Sequence, residues 1–326
     1  MVPAHSTDAP SQILRHWVKT YPHHKDFGAL ALKLKSILPT MDTELHARLA
    51  LFANIEGGHI FWHRQIRELG AIEVYDRMCA GAYESAKFER VMTAVRIANA
   101  GEILEAITVT GSHFITPADN SWPISLADLS TEPIGLVVKG NLSLLTKKSI
   151  AIVGSRNPTP YGVRIAGDFA AGFVDREWLI ISGGAYGIDS AAHRGALIAE
   201  GETIAVVAAG IDINYPAGNA RLFTEIAENG AIVSEVMPGE RAIPVRFLTR
   251  NRLIAALSKS TLVVEAAFRS GSLRTARDAA ELLRPVMAIP GPINSPTSEG
   301  CHRLIGERAA EIVTSVADAV EFVSSL

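Results

Sequence analysis

Three glycine-bearing turns in the second half of the chain have the residue types that bind anions. Each follows a short apolar run and precedes a helical pattern: Gly154-Ser155-Arg156, Ser182-Gly183-Gly184 and Ser270-Gly271-Ser272. Glycine lets the backbone approach a ligand closely, and helix amino ends present unpaired N–H groups. If the apolar runs are parallel strands, the turns meet at the carboxyl edge of one sheet, where α/β proteins bind ligands. The pattern predicts a site for a phosphate-bearing ligand longer than a mononucleotide.

The first two turns differ from the standard cofactor motifs. Arg156 can place two donors on a phosphate, yet its turn is neither a dinucleotide-binding fingerprint nor a P-loop, and an ordinary βα turn with a surface arginine remains an alternative. In the second turn, Asp189 and His193 stand one helical turn apart. Because no nucleophile accompanies them, we predict that Asp189 caps the helix or orients His193 rather than acting as a general base.

Basic residues concentrate in one stretch of a chain whose net charge is −3. Between Arg241 and Arg277 eight cations oppose one acid, Glu265: they are Arg241, Arg246, Arg250, Arg252, Lys259, Arg269, Arg274 and Arg277. The excess predicts anion binding, and a solvated helix face is the alternative. The two arginines that flank Asn251 could hold successive phosphates or a base edge.

Composition and cysteine usage exclude several classes of protein. A hydrophobic content of 48% and a charged content of 20% describe a globular chain, and the small net charge excludes a uniformly basic nucleic-acid coat. Cys79 and Cys301 form no metal-ligand pattern and indicate a reducing compartment. With no secretory signal at Met1–Pro10 and no apolar run of about 20 residues, we expect a cytoplasmic protein without a membrane span. We also predict no metal, no cofactor and no catalytic residue.

The elements that must position the turns change in type along the chain. Helical spacing from about Leu30 to Leu104 predicts a small helical domain at 1–108, with residues 1–12 loose. Within it, Gly57-Gly58 indicates either a helix–hairpin–helix DNA module or a simple helix cap. Residues 109–148 are predicted to be a connector with a strand at Leu136–Gly140.

Residues 149–326 have the pattern of an α/β sheet domain with a C-terminal helix. Short apolar runs alternate with longer amphipathic segments: Ile150–Val153, Leu179–Ile181, Ile204–Ala208, Ile232-Val233, Leu262–Val264 and Val286–Ile289. This alternation is typical of strands buried on both faces of a parallel sheet with helical crossovers.

Taken together, the motifs resemble those of the bacterial DNA-processing protein A family (DprA, also called Smf). The resemblance covers roughly residues 110–310, and its segments in order are 153–162, 182–189, Ala192-His193, Gly210-Ile211-Asp212, Tyr215-Pro216, Ser234-Glu235, Phe247, 250–254, Glu265, 270–273, Thr275-Ala276, Pro290-Gly291 and 298–300. Many ordered motifs make it far more specific than any one of them.

The resemblance implies an extended Rossmann-like, mostly parallel sheet with helices on both faces. It also implies a homodimer, not an enzyme, that binds and protects single-stranded DNA without strong sequence preference and helps to load RecA recombinase during natural transformation. The family's DNA pocket falls here on Gly154, Ser155, Arg156, Ser182, Gly183, Gly184, Ala185, Arg250, Asn251, Arg252, Ser270 and Gly271. The charge count adds Lys259 and Arg274.

The chain also departs from the family, and those departures bear on base contact and affinity more than on fold. A larger apolar residue and an arginine are common where this chain has Gly184 and Tyr186. Other differences lie at Leu248-Thr249, His302 and Arg308-Ala309, and we expect no C-terminal winged helix.

Two alternatives come from other functional classes. One is an enzyme or sensor acting on a nucleotide-derived small molecule, such as a nucleoside-monophosphate phosphoribohydrolase-like protein. Those proteins carry a Pro-Gly-Gly-x-Gly-Thr turn with a glutamate after the penultimate strand, whereas this chain has 270–275 as Ser-Gly-Ser-Leu-Arg-Thr, which disfavours that chemistry. The other is a protein scaffold, which leaves the clustered arginines without a role.

Overall fold

The computed structural model describes residues 41–324, which begin with five helices. The predicted loose segment at 1–12 and the start of the predicted helical domain lie outside the described residues. The helices are α1 (Thr43–Phe52), α2 (Ile60–Leu69), α3 (Ala71–Cys79), α4 (Ala86–Arg96) and α5 (Ala100–Thr108). Asn99 caps α5, since its side-chain oxygen accepts from the N–H groups of Gly101 and Glu102 at 3.0 and 3.3 Å. The predicted helical region is confirmed over these residues.

A nine-stranded sheet forms the centre of the remaining chain. Its strands are β1 (His113–Ile115), β2 (Leu136–Gly140), β3 (Ser149–Val153), β4 (Leu179–Ser182), β5 (Thr203–Val207), β6 (Ala231–Ser234), β7 (Ser260–Val263), β8 (Val286–Ala288) and β9 (Glu311–Ile312). The spatial order is β1-β2-β6-β5-β4-β3-β7-β8-β9. Strand β2 is antiparallel to both of its neighbours. The other seven strands in this order, from β6 through β3 to β9, are parallel to one another. The predicted α/β class with a mostly parallel sheet is confirmed.

Helices cover both faces of this sheet because successive strand residues point to opposite sides. The crossover and terminal helices are α6 (Pro160–Val174), α7 (Ile188–Ile198), α8 (Ala220–Asn229), α9 (Pro244–Leu257), α10 (Ser272–Glu281), α11 (Glu299–Gly306) and α12 (Val316–Ser324). Ile150 and Ile152 pack with α6, α7 and α12. Ala151 and Val153 pack with α9 and α10.

The five N-terminal helices share a hydrophobic core with one flank of the sheet. Buried side chains of α1–α5 pack with those of Val137 in β2, Val207 in β5 and Phe223 in α8. Strands β1 and β2 come from the segment predicted as a connector, and β2 reproduces the predicted strand at Leu136–Gly140. Across residues 41–324, every helix is too short or too polar to cross a bilayer.

Candidate nucleic-acid interface

A cleft of about 560 Å³ opens at the carboxyl edge of the sheet, between the turns that follow β3 and β7. Strand β3 is followed by β4 on one side and has β7 on the other, so the cleft lies at a topological switch point. Its lining residues are Val153, Gly154, Ser155, Arg156, Asn157, Ala185, Asp189, Phe247, Leu248, Arg250, Asn251, Ile254, Ala267, Arg269, Ser270, Gly271, Ser272 and Thr275. Eight of the predicted site residues therefore meet here.

Glu265 holds the first turn in place. Its carbonyl accepts from the Ser155 N–H at 2.7 Å, and its carboxylate accepts from the N–H and hydroxyl of Thr159 at 2.9 and 2.6 Å. Thr159 in turn caps α6 through the Gly162 N–H. This buried carboxylate therefore holds the first turn against the start of α6.

The rim of the cleft carries exposed arginines beside an aromatic ring. The Arg156 guanidinium lies 4.9 Å from the ring centre of Phe247, and the Tyr215 ring lies 5.3 Å from that ring. Arg269 projects from the opposite side beside the third turn, and it is exposed like Arg156. Within residues 41–324, neither arginine forms a salt bridge. Their charges are available to a ligand.

The third turn is open where the first is closely packed. A Cβ added at Gly154 would lie 2.6 Å from Ile188, whereas one added at Gly271 would meet nothing within 4 Å. Packing therefore explains the first glycine and not Gly271, which is the N-cap residue of α10 and leaves room for close approach of a ligand. Asn251 donates to the Gly271 carbonyl at 3.2 Å, and Ser270 bonds Ser272 at 2.7 Å. The N–H groups of Arg156 and Gly271 donate to no acceptor in the described chain.

Arg250 belongs to the buried floor of the cleft. Its Nη1 donates to the carbonyls of Gly183, at 2.6 Å, and Val206. Asp189 lies beside it and accepts from the Ala185 N–H at 3.3 Å. Burial lowers the pKa of Arg250 to about 10, which the Asp189 charge opposes. Burial also raises the pKa of Asp189, which the Arg250 charge opposes. The pair supports the second turn from below.

Of the two roles predicted for Asp189, orienting His193 is wrong; its carboxylate accepts from the Ala185 N–H in the turn before α7 instead. His193 is buried, and its Nδ1 bonds the Thr203 hydroxyl at 2.8 Å, while that hydroxyl donates to the Ile180 carbonyl. Thr203 therefore accepts from Nδ1–H, which fixes the neutral ring tautomer. Burial lowers the pKa of His193 to about 3. The imidazole anchors α7 to the sheet and takes no part in the cleft.

Three residues of the predicted second-turn site lie below the cleft surface and hold the turn in place. The Ser182 hydroxyl donates to the Ile152 carbonyl at 2.6 Å and is fully buried. Gly183 receives the Arg250 bond, and a Cβ at Gly184 would lie 2.6 Å from the Phe223 ring. Of this turn only Ala185 reaches the lining, together with Asp189.

Arg252, Arg274 and Lys259 lie away from the cleft. Arg252 donates to both carboxylate oxygens of Glu235 at 2.7 Å on another side of α9. Arg274 pairs with Asp278 at 2.7 Å and lines a second cavity with Arg252. Lys259 immediately precedes β7 and so stands at the amino edge of the sheet. The charge count combined residues that the fold directs to different surfaces.

The Gly57-Gly58 turn packs against residues near β6 and α9. A Cβ at Gly57 would lie 2.4 Å from Glu235 Oε2, and one at Gly58 would lie 2.7 Å from Thr249. Nearby, Arg246 Nε donates to Glu56 at 3.0 Å. The close contacts of the two glycines with Glu235 and Thr249 therefore have a packing role between this turn and the sheet.

Two residues that line the cleft, Arg269 and Phe247, are not among the site residues predicted from the sequence. Arg269 was counted in the basic stretch without being assigned to the site, although it directly precedes the third turn. Phe247 lies three residues before Arg250 on α9, a spacing that places both on neighbouring parts of one helix face. The contact between the Phe247 ring and Arg156 depends on the packing of α9 beside the first turn, which the sequence does not show.

One departure from the family also has a structural role. The Tyr186 hydroxyl accepts from the Gly218 N–H at 3.2 Å, which ties the second turn to the segment before α8. Its side chain is half exposed. The ring therefore adds an aromatic surface at the position where the resemblance led us to expect an arginine.

Comparisons with known proteins agree with this architecture. The family model for DNA recombination-mediator protein A matches residues 113–324. A putative DNA processing protein DprA of Mycobacterium tuberculosis is 42% identical over 274 residues, which cover 80% of this chain and 70% of that protein. DNA processing protein DprA of Streptococcus pneumoniae is 43% identical over 202 residues, which cover 62% of this chain and 71% of that protein.

Two solved structures extend the comparison to the fold. The DprA structure from Streptococcus pneumoniae superposes with a TM-score of 0.74 at 32% identity and covers 86% of this chain and 98% of its own. The structure from Helicobacter pylori, described as showing a unique single-stranded DNA binding mode, has a TM-score of 0.59 at 31% identity. That match covers 65% of this chain and 95% of the other.

Proposed function

The chain belongs to the DNA recombination-mediator protein A family, and from that premise we propose that it binds single-stranded DNA in the carboxyl-edge cleft. The Helicobacter pylori relative is described as binding single-stranded DNA, which supports the same ligand here. We further propose binding without strong sequence preference, and a binding role rather than a catalytic one.

The observation that carries the proposal is the rim of the cleft. Arg156 and Arg269 are exposed and unpaired within the described chain, and Phe247 lies directly under Arg156. Cations that follow a phosphate backbone beside rings that stack on bases are the two components of sequence-tolerant strand binding. Because the chain has a net charge of −3, its attraction for phosphates must come from this local cluster of cations.

Each part of the cleft then has a distinct task in binding. Arg156, Arg269 and the free N–H of Gly271 neutralise or contact phosphates, while Phe247 stacks on a base. Ser155, Asn251 and Ser270 supply polar edges. Gly154, Gly183, Gly184 and Ala185 give the wall its shape, and Arg250 with Ser182 keeps the second turn fixed.

We propose that the bound strand is passed to RecA recombinase and that the protein acts as a homodimer in the cytoplasm. The family's description as a recombination mediator supports the transfer to RecA. A matched assay compares RecA-dependent ATP hydrolysis on single strands with and without this protein. A shorter lag before hydrolysis supports loading, and an unchanged lag contradicts it. Sedimentation equilibrium tests the dimer.

The direct experiment measures fluorescence anisotropy of labelled oligo-dT and of a duplex of equal length at two salt concentrations. We expect tight oligo-dT binding that weakens as salt rises, by about 0.7 in logarithmic slope per phosphate contact, and weaker binding of the duplex. Equal affinity for both forms, or an affinity independent of salt, would contradict strand binding through phosphates.

A further inference from the structure

A second large groove lies at the amino edge of the sheet, on the side opposite the DNA cleft. It has a volume of about 1150 Å³ and lies beside the starts of β3, β4, β7 and β8. We call it the amino-edge groove. The lining residues used in the argument are Ile124, Lys148, Trp178, Lys259, Leu283 and Arg284. Its size exceeds the usual range of small-molecule pockets, which indicates an extended ligand.

The charge of the amino-edge groove is positive. Lys148 and Lys259 are exposed and make no salt bridge in the described part of the chain, and the Lys148 ammonium lies 3.8 Å from the ring centre of Trp178. The other two cations are paired, Lys147 with Glu202 and Arg284 with Asp128. Two uncompensated positive charges therefore face an incoming ligand.

The helix end beside these lysines does not cancel their charge. The carboxyl end of α9 would present its partial negative charge to the groove. Arg284 Nη1 instead donates to the carbonyls of Ala255, Ala256 and Ser258, two of these bonds measuring 2.7 Å. These carbonyls are satisfied from within the protein, so the lysine field remains.

Two large aliphatic side chains are exposed in the same groove. Ile124 is 87% exposed and Leu283 is 94% exposed. Leu283 also has a φ of 55°, a left-handed conformation that glycine adopts more readily at a helix end. Neither burial nor backbone preference explains a leucine at this position, whereas contact with a partner explains it.

We propose that the amino-edge groove binds an acidic peptide segment that carries aliphatic side chains, donated by another protein. Carboxylates of that segment would pair with Lys148 and Lys259, and its aliphatic groups would cover Ile124 and Leu283. The aromatic residues that line the groove are Trp122 and Trp178, which are only 9% and 3% exposed. No lining aromatic ring is thus available for base stacking, which favours a peptide over a second DNA strand.

The test uses the full chain and a short fluorescent peptide in which aspartates alternate with small groups of leucine and serine. Replacing both Lys148 and Lys259 by Glu should weaken peptide binding about tenfold, because two attractions become repulsions. Leu283→Gly should also weaken it about tenfold through lost apolar contact. That variant relieves the left-handed backbone, so its melting temperature should not fall.

Matched controls separate the amino-edge groove from general charge effects. Lys87→Glu changes an exposed lysine of α4 and should leave peptide binding unchanged. A lysine-for-aspartate version of the peptide should not bind the wild-type chain. Absence of binding of the acidic peptide, or binding that all three groove substitutions leave unchanged, overturns the proposal. So does a loss of oligo-dT affinity in the double lysine variant, because it would make this edge a second DNA path.

Discussion

The rim and the floor of the carboxyl-edge cleft both contain arginine, yet the two regions use it in different ways. At the rim, Arg156 and Arg269 are exposed and make no ion pair in the part of the chain that the structure describes. In the floor, Arg250 is 6% exposed, its Nη1 donates to the carbonyls of Gly183 and Val206, and its Nε has no acceptor within the described residues. The difference shows that arginines of neighbouring motifs differ in burial and in internal partners, and we propose that the exposed ones are the phosphate ligands.

The largest expected effect is on the floor. Arg250→Ala removes the support of the Gly183 carbonyl and leaves Asp189 buried without its cation, so the free energy of unfolding should fall by roughly 3–5 kcal/mol. Urea denaturation followed by circular dichroism measures this. If Arg250 were chiefly a DNA ligand, stability would change little and only oligo-dT affinity would fall.

A double variant provides the control for that result. Asp189→Asn removes the carboxylate whose pKa burial already raises, so it should recover part of the stability lost in Arg250→Ala. Additive losses in the two variants would contradict the coupling of these side chains across the floor.

The next effect concerns the other side of α9. Glu235→Ala leaves Arg252, which is 9% exposed, without its carboxylate partner, and we expect a loss of about 3 kcal/mol in unfolding free energy. Oligo-dT affinity measured on the folded protein should stay within about twofold of wild type, since Arg252 lies outside the cleft.

The matched control is the more exposed ion pair on the same helix. Glu56→Ala breaks the ion pair between Arg246 and the half-exposed Glu56 carboxylate. The free energy of unfolding should fall by less than about 1 kcal/mol. Similar losses from both substitutions would show that burial does not distinguish the two pairs.

A gradual effect, small within one pH unit below 6.5, depends on the protonation of His193 beneath the floor. Because the pKa of His193 is lowered from 6.5 to about 3 in the folded state, the unfolded state binds the proton more tightly between these values. Stability should therefore be fully present above pH 6.5 and fall by about 1.4 kcal/mol per unit as pH decreases towards 3.

Replacement of that imidazole gives the comparison. In His193→Gln, the free energy of unfolding should depend less steeply on pH below 6.5. Urea titrations of the variant and of wild type at several pH values measure this difference, in which the contributions of other groups cancel. An unchanged acid limb would show that His193 is not the buried neutral group described here.

The sequence predicted those strands whose apolar residues form continuous runs. Leu136–Gly140 and the six runs after residue 149 all correspond to strands, because strands buried on both faces carry nearly unbroken apolar residues. Strands β1 and β9 were not predicted, since they have three and two residues at the sheet edges. Their pairing depends on neighbours that a local pattern does not contain.

The site was predicted in position and only partly in composition. The three turns meet as expected because parallel strands share one carboxyl edge. Arg250 and Arg252 diverge because an α-helix rotates by about 100° per residue, and adjacent motif residues face different surroundings. Lys259 was assigned by charge alone, and charge gives no information about which end of a strand a residue precedes.

The central claim is that the rim arginines, rather than the buried ones, neutralise the phosphates of a bound strand. The most direct measurement is the salt dependence of oligo-dT affinity for wild type, Arg156→Ala, Arg269→Ala and Lys87→Glu. Each rim variant should bind several-fold more weakly, keep its stability within about 0.5 kcal/mol, and lose about 0.7 from the logarithmic salt slope. Lys87→Glu should match wild type. Rim variants whose slope equals that of wild type would contradict the claim.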